Sequence, residues 1–380
     1  MVINSYFVIT VLLGGTLVIF KNIFLKLLLV VLWYPMLILA LFSCGLSMPG
    51  IIGVYESRLQ GEIANTGALL YIIGYIVFCL ILFPLRKNNY VFPKLKVSGV
   101  TRSVLFVLTA LGALPLLNTH SETGIKSATF YLVFSIILLT THVKKDPIWF
   151  FHLCLSLALI ALGERVDSLF IVVFLFFVKG KNFKADVTKN KKIYLGGLVF
   201  FVLLVTIGFR RGGEELSYSV LLYSFVSQRT VCDVVYIYLT SISYIADYGC
   251  RLDVLQSLFF GLFPGQGVTS PLYYTNVLSK YMDNPGGGLF FTEGVLALGH
   301  WGVPLYFGGV GLILRKVLTT KAKFGLFMFL MICVMSCRLA WYGLVYIYKP
   351  LLLFYLIYKI FNLRRCILKN PLVKTRLKHA

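Results

Sequence analysis

Long apolar runs follow one another along almost the whole chain, separated by short polar gaps. Most runs are close to the roughly 20 residues that cross a bilayer core as an α-helix. No ten-residue alternating pattern of the kind that builds a membrane β-barrel is visible. The pattern therefore predicts an all-α, polytopic membrane bundle of about eleven spans, at 3–20, 23–43, 67–84, 99–118, 128–143, 147–162, 167–178, 193–209, 295–314, 324–343 and 344–361.

Composition agrees with this class of protein. The chain of 380 residues is 59% hydrophobic, 16% aromatic and 13% charged, which is unlike a soluble domain. The first run has no basic segment before it and no small-residue cleavage site after it. We therefore interpret it as a retained helix rather than a signal peptide.

The net charge of +22 is distributed unevenly between alternate gaps. One set of gaps holds 26 of the 36 Lys and Arg residues with two acids, and the other set holds the remaining 10 (36 − 26) with 12 acids. The positive-inside rule places the basic set in the cytoplasm, with the N-terminus outside and the C-terminus inside. The excess is explained by membrane topology, so we do not expect nucleic-acid binding. The basic set comprises Lys21 and Lys26, 86–102, Lys144 and Lys145, 179–192, 315–323 and the tail from Lys359.

Four segments follow from this topology: an N-terminal transmembrane bundle (1–209), a long periplasmic loop (210–292), C-terminal transmembrane helices (293–361) and a basic cytoplasmic tail (362–380). A loop this long in a compact protein is usually functional. The tail is expected to lie near anionic membrane lipids.

The long loop contains two apolar stretches. Tyr218–Ile242 is interrupted by Arg229 and Asp233, which predicts an amphipathic helix at the membrane interface. Leu252–Phe263 is too short to span. An alternative is that both stretches cross the membrane as a pair, but the charges in the middle of the stretches argue against it.

Three groups of charged residues are candidates for chemistry. The first is the cluster Glu164, Arg165 and Asp167, which precedes a span of only about eleven apolar residues. A helix of this length is shorter than the bilayer core, so the cluster at its end is predicted to lie below the membrane surface. Ionisable groups at that depth are costly and usually functional. A self-neutralised tight turn is the structural alternative.

The second group is the set of loop arginines. The planar guanidinium of arginine matches phosphate oxygens in pairs, so a lipid diphosphate would need such residues. Snorkelling of arginines at a helix end is the structural alternative. The group comprises Arg210, Arg211, Arg229 and Arg251.

The third group is Glu293, His300 and Arg338. Glu293 and His300 are seven residues apart, which places them on one face of a continuous helix with His300 deeper in. Arg338 lies near the outer end of the next span, beside Trp341 and Tyr342. The alternative is that Glu293 forms a structural ion pair with Arg338.

Eight cysteines form no metal or disulfide framework, although Cys232 and Cys250 lie on the same side and could pair. No Walker loop is present, and Gly286-Gly287-Gly288 follows Asn284-Pro285 rather than a strand.

Three motifs lie in or just after the long outer loop: Arg229-Thr-Val-Cys-Asp233, Phe263-Pro-Gly-Gln-Gly267, and Gly287-Gly-Leu-Phe-Phe-Thr-Glu293 leading to Leu298-Gly-His-Trp-Gly302. With this loop they resemble the O-antigen polymerases of the Wzy type. Gly163-Glu164-Arg165 is similar to a Gly-x-Arg element of that family and of O-antigen ligases. Eleven spans with an outside N-terminus is not the commonest arrangement in the family.

The resemblance implies an enzyme of the bacterial inner membrane that acts at its periplasmic face in lipopolysaccharide biosynthesis. It would move a growing glycan from undecaprenyl diphosphate onto a new lipid-linked oligosaccharide repeat unit, with no metal, nucleotide sugar or other cofactor. A chain-length regulator and a flippase of the same pathway would be partners. Diphosphate and sugar would contact Arg165, Arg210, Arg211, Arg229, Arg338, Tyr273 and Tyr274, and the base would be Glu293 or His300.

Two other functions remain open. A lipid-linked oligosaccharide ligase would use the same chemistry on a different acceptor. A transporter or flippase would show paired repeats and discontinuous helices at the membrane midplane, and no internal repeat is visible.

Overall fold

The structure is a computed structural model that describes residues 4–48, 51–88, 95, 97–114, 124–141, 148–161, 229–261, 270–283, 287–319, 323–336, 339 and 343–360. Every regular element in these ranges is helical, and Leu95 and Thr141 form an isolated bridge. In chain order the helices are α1 (Ser5–Gly14), α2 (Thr16–Ile19), α3 (Ile23–Ser43), α4 (Ile51–Val54), α5 (Glu56–Leu59), α6 (Glu62–Leu82), α7 (Gly99–Ala113), α8 (Gly124–Thr140), α9 (Ile148–Ala161), α10 (Arg229–Tyr248), α11 (Gln256–Phe260), α12 (Tyr274–Leu278), α13 (Thr292–Leu298), α14 (Gly302–Thr319), α15 (Lys323–Val334) and α16 (Val345–Ile360).

Among the described residues, three stretches are long and apolar enough to cross a membrane: Leu25–Ser43, Glu62–Leu85 and Thr292–Thr319. A helical membrane protein is thus confirmed, but the predicted count of eleven spans is not. The helices over the first and fourth predicted spans, Ser5–Ile19 and α7 (Gly99–Ala113), are shorter, and the 15 residues of α7 make about 22 Å of helix. Predicted spans 167–178 and 193–209 lie outside the described residues.

The chain divides into two compact units, of which the first comprises 1–90, 218–320 and 335–349. Its centre is the packing of α14 on α6. Gly74 of α6 lies against Phe307, and Gly311 of α14 lies against Phe78, so small residues bring the two backbones close together. Phe291 packs against Phe307, with ring centroids 5.1 Å apart.

Helix α10 is buried inside the first unit. Nearly every side chain from 231 to 243 is buried, and the helix contacts α3, α6 and α13. The Tyr238 hydroxyl donates to the Gly67 carbonyl oxygen at 3.0 Å. The predicted helix is therefore present from Arg229 onward and is packed inside the unit rather than freely exposed, and its position at the membrane interface stays a prediction.

Loops of the first unit meet in two groups. The Lys21 N–H donates to the Arg86 carbonyl oxygen at 2.8 Å, which joins two of the basic gaps. The Arg58 guanidinium of α5 pairs with Asp247 at 2.8 Å, which joins the segment between α3 and α6 to the end of α10. Each contact joins two polar gaps that the charge pattern assigns to the same side of the membrane.

The second unit comprises 91–217, 321–334 and 350–380. In it α7 packs on α8 and α8 on α9. Phe106 and Phe151 are 5.2 Å apart between ring centroids, and Phe324 stacks on Phe354 at 5.9 Å. Ser98 caps α7, since its hydroxyl accepts from the Thr101 N–H at 3.1 Å.

Candidate functional site: a buried carboxylate at a broken helix

Glu293 lies on a short helix that is separate from the long helix after it. Helix α13 ends at Leu298, and Gly299 has φ +62° and ψ −145°, a conformation open essentially to glycine. After one 3₁₀ turn, α14 begins at Gly302. The predicted continuous face that would carry both Glu293 and His300 is therefore interrupted.

The chain folds back on itself at this break. A side-chain carbon added to Gly302 would clash with the Gly294 carbonyl and would lie 2.6 Å from the Val295 nitrogen. In an unbroken helix, positions 294 and 302 would be about 12 Å apart along the axis. Helix α13 therefore packs against the start of α14 instead of extending it.

The Glu293 side chain is buried, with 2% of its surface exposed. Its carboxylate accepts a short hydrogen bond from the Ser257 hydroxyl of α11. Among the described residues no Lys, Arg or His pairs with it. A buried carboxyl without such a partner is costly and is a common mark of a functional site.

The segment that carries Ser257 is tied to α13 by its backbone. The Arg251 N–H donates to the Leu296 carbonyl oxygen at 2.7 Å. The Arg251 side chain holds Asp253 through two hydrogen bonds of 3.1 and 2.5 Å. These bonds, together with the positive charge of Arg251, lower the pKa of the Asp253 carboxyl. Ser257 and Glu293 are thus positioned by one connected segment. Arg251, counted above among the arginines suited to phosphate, has its guanidinium on Asp253.

Two tyrosines border the carboxylate region. The Tyr306 ring packs on Gly294, and its buried hydroxyl has no hydrogen-bond partner among the described residues. The Tyr348 hydroxyl donates to the Leu258 carbonyl oxygen at 2.5 Å. Gly261 lies against this tyrosine, which closes the α11 side of the region.

This arrangement can exchange a proton or hold a polar ligand. A carboxylate oriented by one hydroxyl can accept a proton from a second hydroxyl that reaches it. It can also balance the charge of a cation.

The predicted diphosphate ligands lie mostly outside the described residues, namely Arg165, Arg210, Arg211 and Arg338, as do Glu164 and Asp167. Arg229 begins α10, but its side chain also lies outside the part of the chain that the structure describes. Their assignment stays a prediction, and so does the alternative pairing of Glu293 with Arg338.

The other predicted site residues are placed apart from the carboxylate. His300 is exposed, since the break at Gly299 turns it away from the buried face on which Glu293 lies; its predicted position deeper in the same face is wrong. Tyr273 and Tyr274 are 2% and 1% exposed and pack on each other at 4.6 Å. In this conformation neither ring presents a face to a sugar, although their role stays a prediction.

Sequence reasoning missed Ser257, Tyr306 and Tyr348. Ser257 could have been noticed, because Gln256 and Ser257 are consecutive polar residues inside the apolar stretch Leu252–Phe263. The two tyrosines lie in apolar runs that contain many aromatic residues, and nothing local distinguishes them.

A second group of side chains lies at the end of α10. Tyr244, Tyr248 and Tyr281 form a tyrosine cluster, with ring centroids 5.1 to 5.6 Å apart. The Arg58 guanidinium lies 4.7 Å from the Tyr281 ring centroid and pairs with Asp247. Burial and the hydrogen bond to Asp247 raise the pKa of the Tyr281 hydroxyl.

Cys232 is buried and Cys250 is exposed, and both are free thiols, so the disulfide considered above is not formed. Within the described ranges no group of three or more His, Cys, Asp or Glu side chains could hold a metal ion.

Comparison of the chain with protein-family models, with curated proteins and with solved structures gave no match.

Proposed function

We propose that this chain is a polysaccharide polymerase that joins undecaprenyl-diphosphate-linked oligosaccharide repeat units at the periplasmic face of the bacterial inner membrane. The observation that carries the proposal is the buried Glu293 carboxylate, held by Ser257 at the break between α13 and α14. This residue ends the Gly287–Glu293 motif on which the resemblance to O-antigen polymerases rests.

In the proposed reaction the acceptor sugar hydroxyl attacks the anomeric carbon of the growing glycan. The bond from that carbon to the diphosphate oxygen breaks, and its electron pair leaves with the diphosphate. The hydroxyl proton passes to Glu293, which acts as general base. Arg165, Arg210, Arg211, Arg229 and Arg338 are the proposed groups that stabilise the charge on the departing diphosphate.

Ser257 is a positioning residue in this scheme. Its hydroxyl donates to one carboxylate oxygen of Glu293, which leaves the other oxygen for the acceptor hydroxyl. Ser257 belongs to the long loop and Glu293 directly follows it. The charge pattern predicts that this loop is periplasmic.

One structural feature favours a second candidate, a transporter of lipid-linked glycans. Ion-coupled transporters build their sites at discontinuous helices with buried carboxyl groups. The break at Gly299 beside the buried Glu293 has this form. The apolar runs show no internal repeat, which is why the polymerase is preferred.

The experiment replaces Glu293 with Gln, which keeps size and hydrogen bonding but accepts protons poorly. Loss of a general base predicts a polymerisation rate at least about 100-fold lower. The glycan length ladder of the cells should then stop at carriers bearing one repeat unit. Glu62→Gln is the matched control, because Glu62 is an exposed glutamate at the start of α6 and should leave the ladder unchanged.

Each alternative function gives a different product. Polymer that remains on its carrier indicates a ligase, and single repeat units trapped on the cytoplasmic leaflet indicate a flippase. If Glu293 instead neutralises Arg338, Glu293→Gln should lower the protein level, and Glu293→Gln with Arg338→Gln should restore it. Folded Glu293→Gln protein with a normal ladder would remove Glu293 from the mechanism.

A further inference from the structure

The Tyr248 ring is exposed and yet held in place. It is 68% exposed, while its neighbours fix it from the side: Tyr244 at 5.1 Å with the planes 35° apart, and Tyr281 edge-on at 5.6 Å. A rigid aromatic ring facing solvent loses little conformational entropy when a ligand stacks on it.

One polar group with spare bonding capacity lies next to this ring. Oδ2 of Asp247 accepts from both Arg58 and Tyr281, and among the described residues nothing donates to Oδ1. The Asp247 side chain is 48% exposed.

We infer that the tyrosine cluster, with Asp247 at its rim, is a binding site for an uncharged sugar ring of an oligosaccharide. A pyranose has one face of C–H groups that stacks on an aromatic ring, and hydroxyls at its edge that donate to carboxylates. The cluster offers both at once.

The charges at the site favour an uncharged sugar over an acidic one. Two arginines contact the cluster, Arg58 at Tyr281 and Arg251 at Tyr244, and both are already paired, with Asp247 at 2.8 Å and Asp253 at 2.5 Å. A uronic acid or a phosphate brought to the ring would meet the Asp247 carboxylate, and like charges repel. The chain as a whole carries +22, so this preference belongs to the site rather than to the protein.

The same charges argue against a lipid headgroup as the occupant. Tyrosines of a membrane-interface belt anchor in the headgroup region, and anionic lipids attract Lys and Arg there. Here the Asp247 carboxylate lies at the rim of the ring, and it would repel anionic headgroups.

The inference deepens the proposed function and rests on it for the source of the glycan. Tyr248 is followed closely by Arg251, whose N–H binds α13 at Leu296. A sugar on Tyr248 is thereby attached to the segment that carries Ser257 to Glu293. The cluster would hold a sugar of the lipid-linked substrate away from the reacting carbon.

The test is binding of the purified full-length protein in lipid nanodiscs to an array of neutral, amino and uronic-acid oligosaccharides. We expect binding among the neutral or amino glycans only. Tyr248→Ala should weaken it at least tenfold, as removal of a central aromatic contact does. The matched control is Tyr355→Ala in α16, another exposed tyrosine, which should bind as the unchanged protein does. Asp247→Asn, which frees Arg58, should admit uronic acids.

Three results would overturn the inference: no binding to any glycan, binding to acidic glycans alone, or equal binding by Tyr248→Ala. Glycan binding in a protein that forms no polymer would refute the proposed function and leave this inference standing. Polymerisation that does not depend on Tyr248 would refute this inference and leave the proposed function standing.

Discussion

The fold-back between α13 and α14 can be tested with two glycines of one helix. Gly302 lies against the Gly294 backbone, whereas a side-chain carbon on Gly309 would meet nothing within 4 Å. In a straight helix through Gly299 both residues would be interior, and replacing either with Ala would bring the same gain in helix propensity, about 1 kcal/mol.

The difference between the two variants isolates the contact at Gly302. The obstacle there is backbone, which cannot swing aside as a flexible side chain can. Forcing an extra methyl into such a place costs about 1–3 kcal/mol. Gly302→Ala should therefore be less stable than Gly309→Ala by about that amount, on the order of 2–12 °C in apparent melting temperature.

The measurement is thermal unfolding of both purified variants in the same detergent, monitored by exposure of buried cysteines. Gly309→Ala should melt at or slightly above the temperature of the unchanged protein. Equal melting temperatures for the two variants would refute the fold-back. Positions 294 and 302 would then be apart, as in a straight helix through Gly299.

Two further predictions concern access from solvent. Burial, followed by the negative charge of Asp233, raises the pKa of Cys232 to about 12, so iodoacetamide at neutral pH should alkylate Cys250 and spare Cys232; equal labelling by peptide mass spectrometry would contradict the burial of α10. Membrane-impermeant maleimide applied from outside should reach a cysteine introduced at Asn276 but not one at Asn182, and the opposite pattern would reverse the predicted orientation.

Helix bounds set by apolar runs could be predicted well. The run predicted at 23–43 is α3, Ile23–Ser43, and the run at 67–84 lies within Glu62–Leu85. These segments are mostly apolar and end at polar or turn residues, so local composition largely defines them, although α6 begins at Glu62, five residues before its apolar run.

The site could be predicted only in part. Glu293 was identified because a carboxyl in an apolar segment is visible in sequence. Its assumed relation to His300 failed because residue spacing defines a common face only while the helix continues, and Gly299 ends it. Ser257 contributes through a contact across 36 positions of sequence, which no local pattern encodes.

The burial of α10 could not be predicted for a related reason. Periodicity and the charges at Arg229 and Asp233 indicate that a helix has distinct faces, but not how many neighbours cover them. Burial of residues 231–243 depends on α3 and α6, which lie far earlier in the chain.

The packing of α14 on α6 has a consequence for biogenesis. Residues 83–301 separate the two helices, and a ribosome adding about 5–20 residues per second needs on the order of 10–40 s to make them. During that interval Gly74 and Phe78 on α6 have no Phe307 or Gly311 to cover them. The nascent chain must keep this surface in lipid, or against the insertion machinery, until α14 arrives. Membrane insertion and folding of this protein are therefore separate in time, and a chain truncated before α14 would expose a ready surface for association with other membrane helices.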